Sequence, residues 1–137
     1  MERLHEIIAA HAGREGPLLP ILHDVQAAFG HVSEDSERAI AQALNLSRAE
    51  VHGVVSFYHD FHAEPEAVPV VKLCRAEACQ ARGVDALVAA LPENRRVKVE
   101  TVYCLGLCSV GPNAMADGKV HARLDAAKLG ALMEQLA

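Results

Sequence analysis

Apolar residues in the first sixty positions recur at helical spacing. Leu4, Ile7, Ile8 and His11 fall on one face of a first helix, which the stretch from Gly13 to Gly16 ends. Pro17 or Pro20 can open a second helix, with Ile21, Leu22, Val25 and Phe29 inward and Gly30 as its C-terminal stop. Ser33 is a plausible N-cap for a third, carrying Ile40 and Leu44. Ser47-x-x-Glu50 has the form of a capping box and opens a fourth, with Val51, Val54 and Val55 following. Residues 1–62 therefore read as an N-terminal helical bundle.

At Ala63-Glu64-Pro65-Glu66 proline and acidic residues mark a short linker, and the period switches from helical to extended. Residues 66–137 read as a second domain. Its expected order is a strand (68–74), a loop with Cys79, a helix (about 83–91), a turn at Pro92, a strand (96–103) and a loop with Cys108. A hairpin follows, from Ala114-Met115-Ala116 through a turn at Asp117-Gly118 into 119–123. Asp125 can cap a last helix with Leu129, Leu132, Met133 and Leu136 on one stripe. The fold class is α/β (α+β), and a β-α-β-β-β-α order over so short a stretch suggests a small sheet with helices packed on it, as in a thioredoxin-like fold.

The chain's chemistry lies in its four cysteines, spaced Cys74-x4-Cys79 and Cys104-x3-Cys108. Each pair follows a predicted strand, so two strand ends can bring two short loops together into one tetrathiolate site. Thiolates are soft ligands that suit zinc or an iron–sulfur cluster. Unequal pairs at two strand ends fit a two-iron unit better than the C-x2-C knuckles usual for structural zinc, which remains the serious rival. Disulfides or free thiols come third, and a thioredoxin-type dithiol is nearly excluded because no C-x-x-C exists. Gly106 and Gly111 let backbone N–H groups approach sulfur. Lys72 and Arg75 would favour a more negative, reduced cluster, whereas burial in the loop of Leu105, Leu107 and Val110 would oppose it. Leu105 and Leu107 would also keep water away.

Composition narrows the field further. The 137 residues are 51% hydrophobic and 23% charged, ordinary for a soluble globular protein, with aromatics only 4% and no Trp. The longest apolar runs are too short to cross a membrane, so no direct membrane insertion is expected. Met1-Glu2-Arg3-Leu4-His5-Glu6 lacks the apolar run of a secretory signal, which makes the cytoplasm the default, where paired cysteines more often bind metal than form disulfides. A net charge of −5 disfavours a nucleic-acid partner. The stretch from Ser36 to Phe57 has helix-turn-helix spacing, but its second helix offers one arginine, Arg48, beside Glu50, so two packed helices explain it better. Among eight histidines, His59 and His62 share a helical spacing without a carboxylate motif to complete a site, and His31, His52 and His121 have no spacing partner. Surface positions are the better reading. No G-x-G-x-x-G or P-loop is present, and four-cysteine ligation leaves no open coordination position, so no catalytic site is expected.

The two cysteine loops, Cys74-Arg75-Ala76-Glu77-Ala78-Cys79 and Tyr103-Cys104-Leu105-Gly106-Leu107-Cys108, resemble those of the thioredoxin-like [2Fe–2S] subunit of respiratory complex I, the twenty-four-kilodalton subunit. Leu19-Pro20-Ile21-Leu22-His23-Asp24-Val25-Gln26 and Val51-His52-Gly53-Val54-Val55-Ser56-Phe57-Tyr58 are similar to that family's N-terminal segment. The resemblance covers nearly the whole chain. It implies one [2Fe–2S] cluster, with Cys74 and Cys79 on one iron and Cys104 and Cys108 on the other. It also implies an electron-transfer subunit beside an FMN- and NAD-binding flavoprotein, and leaves a homodimer open for the isolated chain. Family members in complex I usually carry Thr-Thr-x-Asp-Gly before the third cysteine, where this chain has Leu91-Pro92-Glu93-Asn94-Arg95-Arg96 in a shorter stretch. That shortened form looks most like the γ subunit of soluble NAD-dependent formate dehydrogenases, with the diaphorase subunit of a bidirectional hydrogenase close behind.

Overall fold

Helices form where the caps and stops stand. In the computed structural model, which describes residues 1–93 and 96–137, α1 spans Glu2–Ala10, α2 Leu18–Phe29, α3 Glu34–Leu44 and α4 Arg48–Phe57. Gly30 ends α2 in the left-handed region at φ 79°, returning its N–H to Gln26 O. The Ser33 hydroxyl accepts from Ser36 N–H at 3.1 Å. Ser47 and Glu50 close the expected capping box: Ser47 Oγ accepts from Glu50 N–H at 3.1 Å and Glu50 Oε2 from Ser47 N–H at 2.7 Å.

These helices belong to a first compact unit, Met1–Glu66. Its core holds Leu4, Ile21, Leu22, Val25, Val32, Ile40, Val51, Val55 and Phe61. Burying each aliphatic side chain contributes about 1.5–3 kcal/mol against the entropy of ordering the helices. One expectation fails: Phe29, placed inward by its spacing, is 38% exposed. As the last residue of α2 it sits at the rim, lining a shallow recess with Met1, Leu4 and His31. Glu37 is buried, and its Oε2 lies 3.1 Å from Nδ1 of the exposed His52, which satisfies a carboxylate inside the helical unit. Arg48 donates to Glu34 at 3.0 Å, so the one arginine on the second helix of the apparent helix-turn-helix is held by a carboxylate.

The second unit, Ala67–Ala137, contains β1 (Val70–Cys74), α5 (Glu77–Ala81), α6 (Val84–Ala89), β2 (Lys98–Val102), β3 (Ala114–Ala116), β4 (Lys119–His121) and α7 (Ala126–Leu136). The sheet order is β2-β1-β3-β4, with β1 and β2 parallel and the other pairs antiparallel. Its central strand carries Val71 and Leu73, both fully buried, into one core with Val84, Val97, Ala114, Leu124, Leu129, Leu132 and Met133. Asp125 caps α7, its Oδ1 accepting from Lys128 N–H at 2.8 Å.

Strand ends are trimmed relative to expectation: 68–74 becomes Val70–Cys74, and 96–103 becomes Lys98–Val102. The expected helix over 83–91 shortens to α6, preceded by the separate short helix α5, with Gly83 at φ 92° turning the chain between them. Cys79 therefore lies on a helix and not in a loop, and Cys108 opens a 3-10 turn, Cys108–Val110. Asn94 and Arg95, within the segment that departs from the complex I pattern, lie outside the described residues. Among the described residues no helix is long and apolar enough to cross a membrane.

Candidate metal centre

Register on the sheet brings the cysteines together. β1 and β2 run parallel with Cys74 opposite Val102, so Cys74 ends one strand beside the point where the other turns into Tyr103 and Cys104. Arg75 N–H donates to Val102 O at 2.9 Å, tying the two strand ends just past their last rung. Cys104 then takes a left-handed backbone at φ 75°, uncommon for a residue with a Cβ. In that conformation its N–H points back at Cys74 Sγ, 3.2 Å away. Gly106, at φ 81°, turns the chain again and donates its N–H to Cys104 Sγ at 3.4 Å. Cys104 and Cys108 face each other with sulfurs 3.6 Å apart. Metal–sulfur bonds of about 2.3 Å at a tetrahedral ion put two sulfurs about 3.8 Å apart, so this pair is spaced to share one ion.

The four thiols fall into an inner and an outer pair. Cys74 and Cys79 are each 2% exposed within the core, whereas Cys104 and Cys108 are exposed. The expected screen is thus partial: Leu105 and Leu107 are half-buried, and the flanking Cys104 and Cys108 are exposed. Among the described residues no three His, Cys, Asp or Glu side chains converge as for a single ion. The inner and outer thiols form two neighbouring pairs, a donor set of four soft sulfurs.

Backbone donors decide the electrostatics. Burial pushes the Cys74 thiol up, but the N–H groups of Ala76, Cys104 and Leu105 and the Cys79 side chain outweigh it, and Cys74 sits below the ordinary thiol range. Burial also raises Cys79, which the Asn113 N–H only partly offsets while the neighbouring Cys74 adds to the rise. Cys108 is raised first by its hydrogen bond with Cys104 and then by that sulfur's charge. The Cys79 and Cys108 thiols thus hold their protons more tightly than a free thiol, and a cation bound there would release them. N–H groups aimed at sulfur are the donors an anionic cluster requires.

Other expected contributors behave differently. Arg75 is bound to Asp85 Oδ1 through Nε at 3.2 Å and a terminal nitrogen at 2.8 Å, so its charge is largely compensated. His59 and His62 do not form a pair site: His59 is exposed, and His62 uses its backbone to accept from Val32 N–H and donate to Gln26 Oε1. The sequence reading overlooked Asn113. It is buried, its Nδ2 donates to Leu107 O at 2.9 Å, its carbonyl accepts from Cys74 N–H at 3.0 Å, and its Oδ1 has no hydrogen-bond partner. An amide inside the run Gly111-Pro112-Asn113-Ala114, otherwise without polar side chains, was the available signal, since a buried polar side chain needs a reason.

Comparison with known proteins settles the family. The family model for thioredoxin-like [2Fe–2S] ferredoxins matches residues 4–137. The chain belongs to that family. Its cofactor is accordingly the [2Fe–2S] cluster, and the inner and outer thiol pairs fit it. Among its relatives, an NADH-quinone oxidoreductase subunit from Escherichia coli is 30% identical over 81% of this chain and 74% of its own length. Its counterpart from Rhizobium meliloti is 29% identical over 97% of this chain and 86% of its own. The HndA subunit of the NADP-reducing hydrogenase of Solidesulfovibrio fructosivorans is 29% identical over 79% and 70%. A solved NAD+-reducing [NiFe]-hydrogenase, in its H2-reduced state, superposes with a TM-score of 0.71 at 29% identity over 88% of this chain. The chain spans only 22% of that hydrogenase chain.

Proposed function

We propose that this protein is a one-electron carrier subunit of a multisubunit NAD-dependent oxidoreductase. Cys74 and Cys79 hold one iron of its [2Fe–2S] cluster, and Cys104 and Cys108 hold the other. The observation that carries this is the gathering of two thiol pairs, with backbone N–H groups aimed at their sulfurs, at adjacent ends of parallel strands. The partner is an FMN- and NAD-binding flavoprotein, whose flavin divides a hydride's electron pair so that the cluster takes or holds one electron. The chain itself makes and breaks no bonds of a substrate and works in the cytoplasm. Residues 66–137 form the cluster domain, and the helical domain over 1–62 supplies the docking surface.

For the parent complex, the shortened segment before Cys104 favours the γ subunit of a soluble NAD-dependent formate dehydrogenase. The relatives favour a second reading, a subunit of NADH-quinone oxidoreductase or of a hydrogenase diaphorase.

Anaerobic purification with iron, sulfide and zinc assays, and EPR before and after dithionite, tests the cluster. Equal iron and sulfide with a signal appearing on reduction is the expected result. Stoichiometric zinc in a colourless protein, unchanged after reconstitution with iron and sulfide, would leave a zinc-stabilised interaction module instead. Retrieval of the native complex with formate-, NADH- and H2-linked dye assays then separates the parents. Deleting residues 1–62 should abolish flavoprotein retrieval. Size-exclusion of the isolated chain shows whether it forms a homodimer.

A further inference from the structure

The backbone between Val110 and Asn113 is tied on both sides. Val110 O accepts from Arg123 N–H at 2.8 Å, Pro112 O from Leu124 N–H at 2.9 Å, and Asn113 O from Cys74 N–H at 3.0 Å. Asn113 Nδ2 adds a fourth tie, to Leu107 O at 2.9 Å. Within this strap Gly111 is buried, and its φ of −69° suits any residue, so conformation does not call for glycine there. Space does. A Cβ at position 111 would stand 3.1 Å from Cys79 Sγ, 3.4 Å from Arg82 Cδ and 3.6 Å from Cys79 Cα. At each of the other glycines an added Cβ meets nothing closer than 4.0 Å among the described residues. Arg82 is exposed and its stem can swing away. The Cys79 sulfur cannot, because it is packed in the core on α5.

We propose that Gly111 is a positioning residue for Cys79: its bare Cα lets the strapped backbone close on the sulfur and thereby sets where the inner pair presents a thiolate. The inference rests on Cys79 being a cluster ligand. An added methyl group would have to displace the sulfur by tenths of an ångström, since neither the strap nor α5 is free to yield. A shifted ligand changes metal–sulfur geometry and the N–H contacts to that sulfur, and so alters the cluster's spectrum and potential as well as its retention.

The test compares Gly111→Ala, Gly130→Ala and Arg82→Ala/Gly111→Ala as anaerobic holoproteins, reading EPR g-values, reduction potential and loss of colour to a chelator. Gly130 lies on α7 with open space around its Cα and serves as the control. Gly111→Ala is expected to shift both spectrum and potential and to bleach roughly tenfold faster, the scale of overpacking at a tight contact. Gly130→Ala should match the parent, and Arg82→Ala should not rescue. A Gly111→Ala protein with parental spectrum, potential and retention overturns the proposal, and so does rescue by Arg82→Ala, which would make the arginine stem the obstacle. An unchanged spectrum in Cys79→Ser overturns the ligand assignment and the proposal with it. Should Gly111→Ala yield no folded protein, melting of Cys79→Ala against Cys79→Ala/Gly111→Ala decides. Equal melting supports the sulfur contact, and further loss in the double variant overturns it.

Discussion

The inner and outer thiol pairs sit in one site but are placed by different physics. Cys74 closes a strand and Cys79 lies on a helix, and both are part of the hydrophobic core of the second unit. Packing places them, with or without a ligand. Cys104 lies on irregular backbone and Cys108 opens a 3-10 turn, both at the surface, where position depends on two left-handed residues, Cys104 and Gly106, and a few N–H contacts. A non-glycine residue held there costs on the order of 1–3 kcal/mol, which the surrounding hydrogen bonds must offset. Half the site is thus built into the fold and half is held against it.

Removing one sulfur from each half tests that division most severely. Cys74→Ala and Cys108→Ala should both abolish the cluster's visible absorption and EPR signal. They should differ in what remains. Cys74→Ala leaves a gap in the core and strands the Cys104 N–H, so the colourless protein should lose about 1–3 kcal/mol in denaturant unfolding. Cys108→Ala removes an exposed thiol, and its colourless form should stay within about 0.5 kcal/mol of the apo parent. Equal losses would mean that the outer loop is as much a part of the core as the inner pair.

Asn113 spans the two halves, bonding to Leu107 O on the outer loop and to Cys74 N–H on the inner strand. Asn113→Ala keeps the backbone bond and deletes the side-chain one. Hydrogen exchange should quicken for the amides of residues 105–110 by roughly fivefold, the equivalent of about 1 kcal/mol for one hydrogen bond, while β1 amides stay protected. A smaller effect is expected at Asp85, which compensates Arg75 beside the inner pair. Asp85→Asn leaves that guanidinium's charge free to favour the more negative, reduced cluster, so the reduction potential should rise. The rise should shrink with added salt, since Arg75 and Asp85 are both partly exposed.

The same division governs what could be read in advance. Ser33, the Ser47–Glu50 box, Gly30 and Asp125 act within one turn of themselves, so their roles are legible in the sequence. The strands before each cysteine pair are legible from their β-branched runs, and with them the meeting of two loops. The helix that carries Cys79 is not, because α5 is five residues long and its N-cap, Ala76, makes no side-chain capping bond, so its formation rests on tertiary packing. Phe29 shows the converse: its spacing continues the apolar stripe, but a stripe does not say where the core ends. Asn113, the Gly111 contact and the Arg75–Asp85 pair depend on residues that meet only in the folded chain, which periodicity cannot convey.

A last substitution asks whether the helical unit is as independent of the thiol chemistry as its local capping suggests. The Ser47 N–H, and then the Ser47 hydroxyl, hold the Glu50 carboxyl below the ordinary carboxylate range, with desolvation opposing them. A depressed folded-state pKa means that ionised Glu50 adds stability above its unfolded-state pKa. That contribution fades as pH falls through the lower, folded value. Glu50→Gln removes the charge and keeps an acceptor oxygen for the box. Denaturant unfolding should show the variant less stable than the parent at pH 7, with the gap closing as the solution is acidified below the usual glutamate range. The cluster's spectrum and potential at pH 7 should not move. A gap that widened in acid would contradict the capping assignment, and a shifted spectrum would mean that the α4 cap and the thiol pairs are coupled.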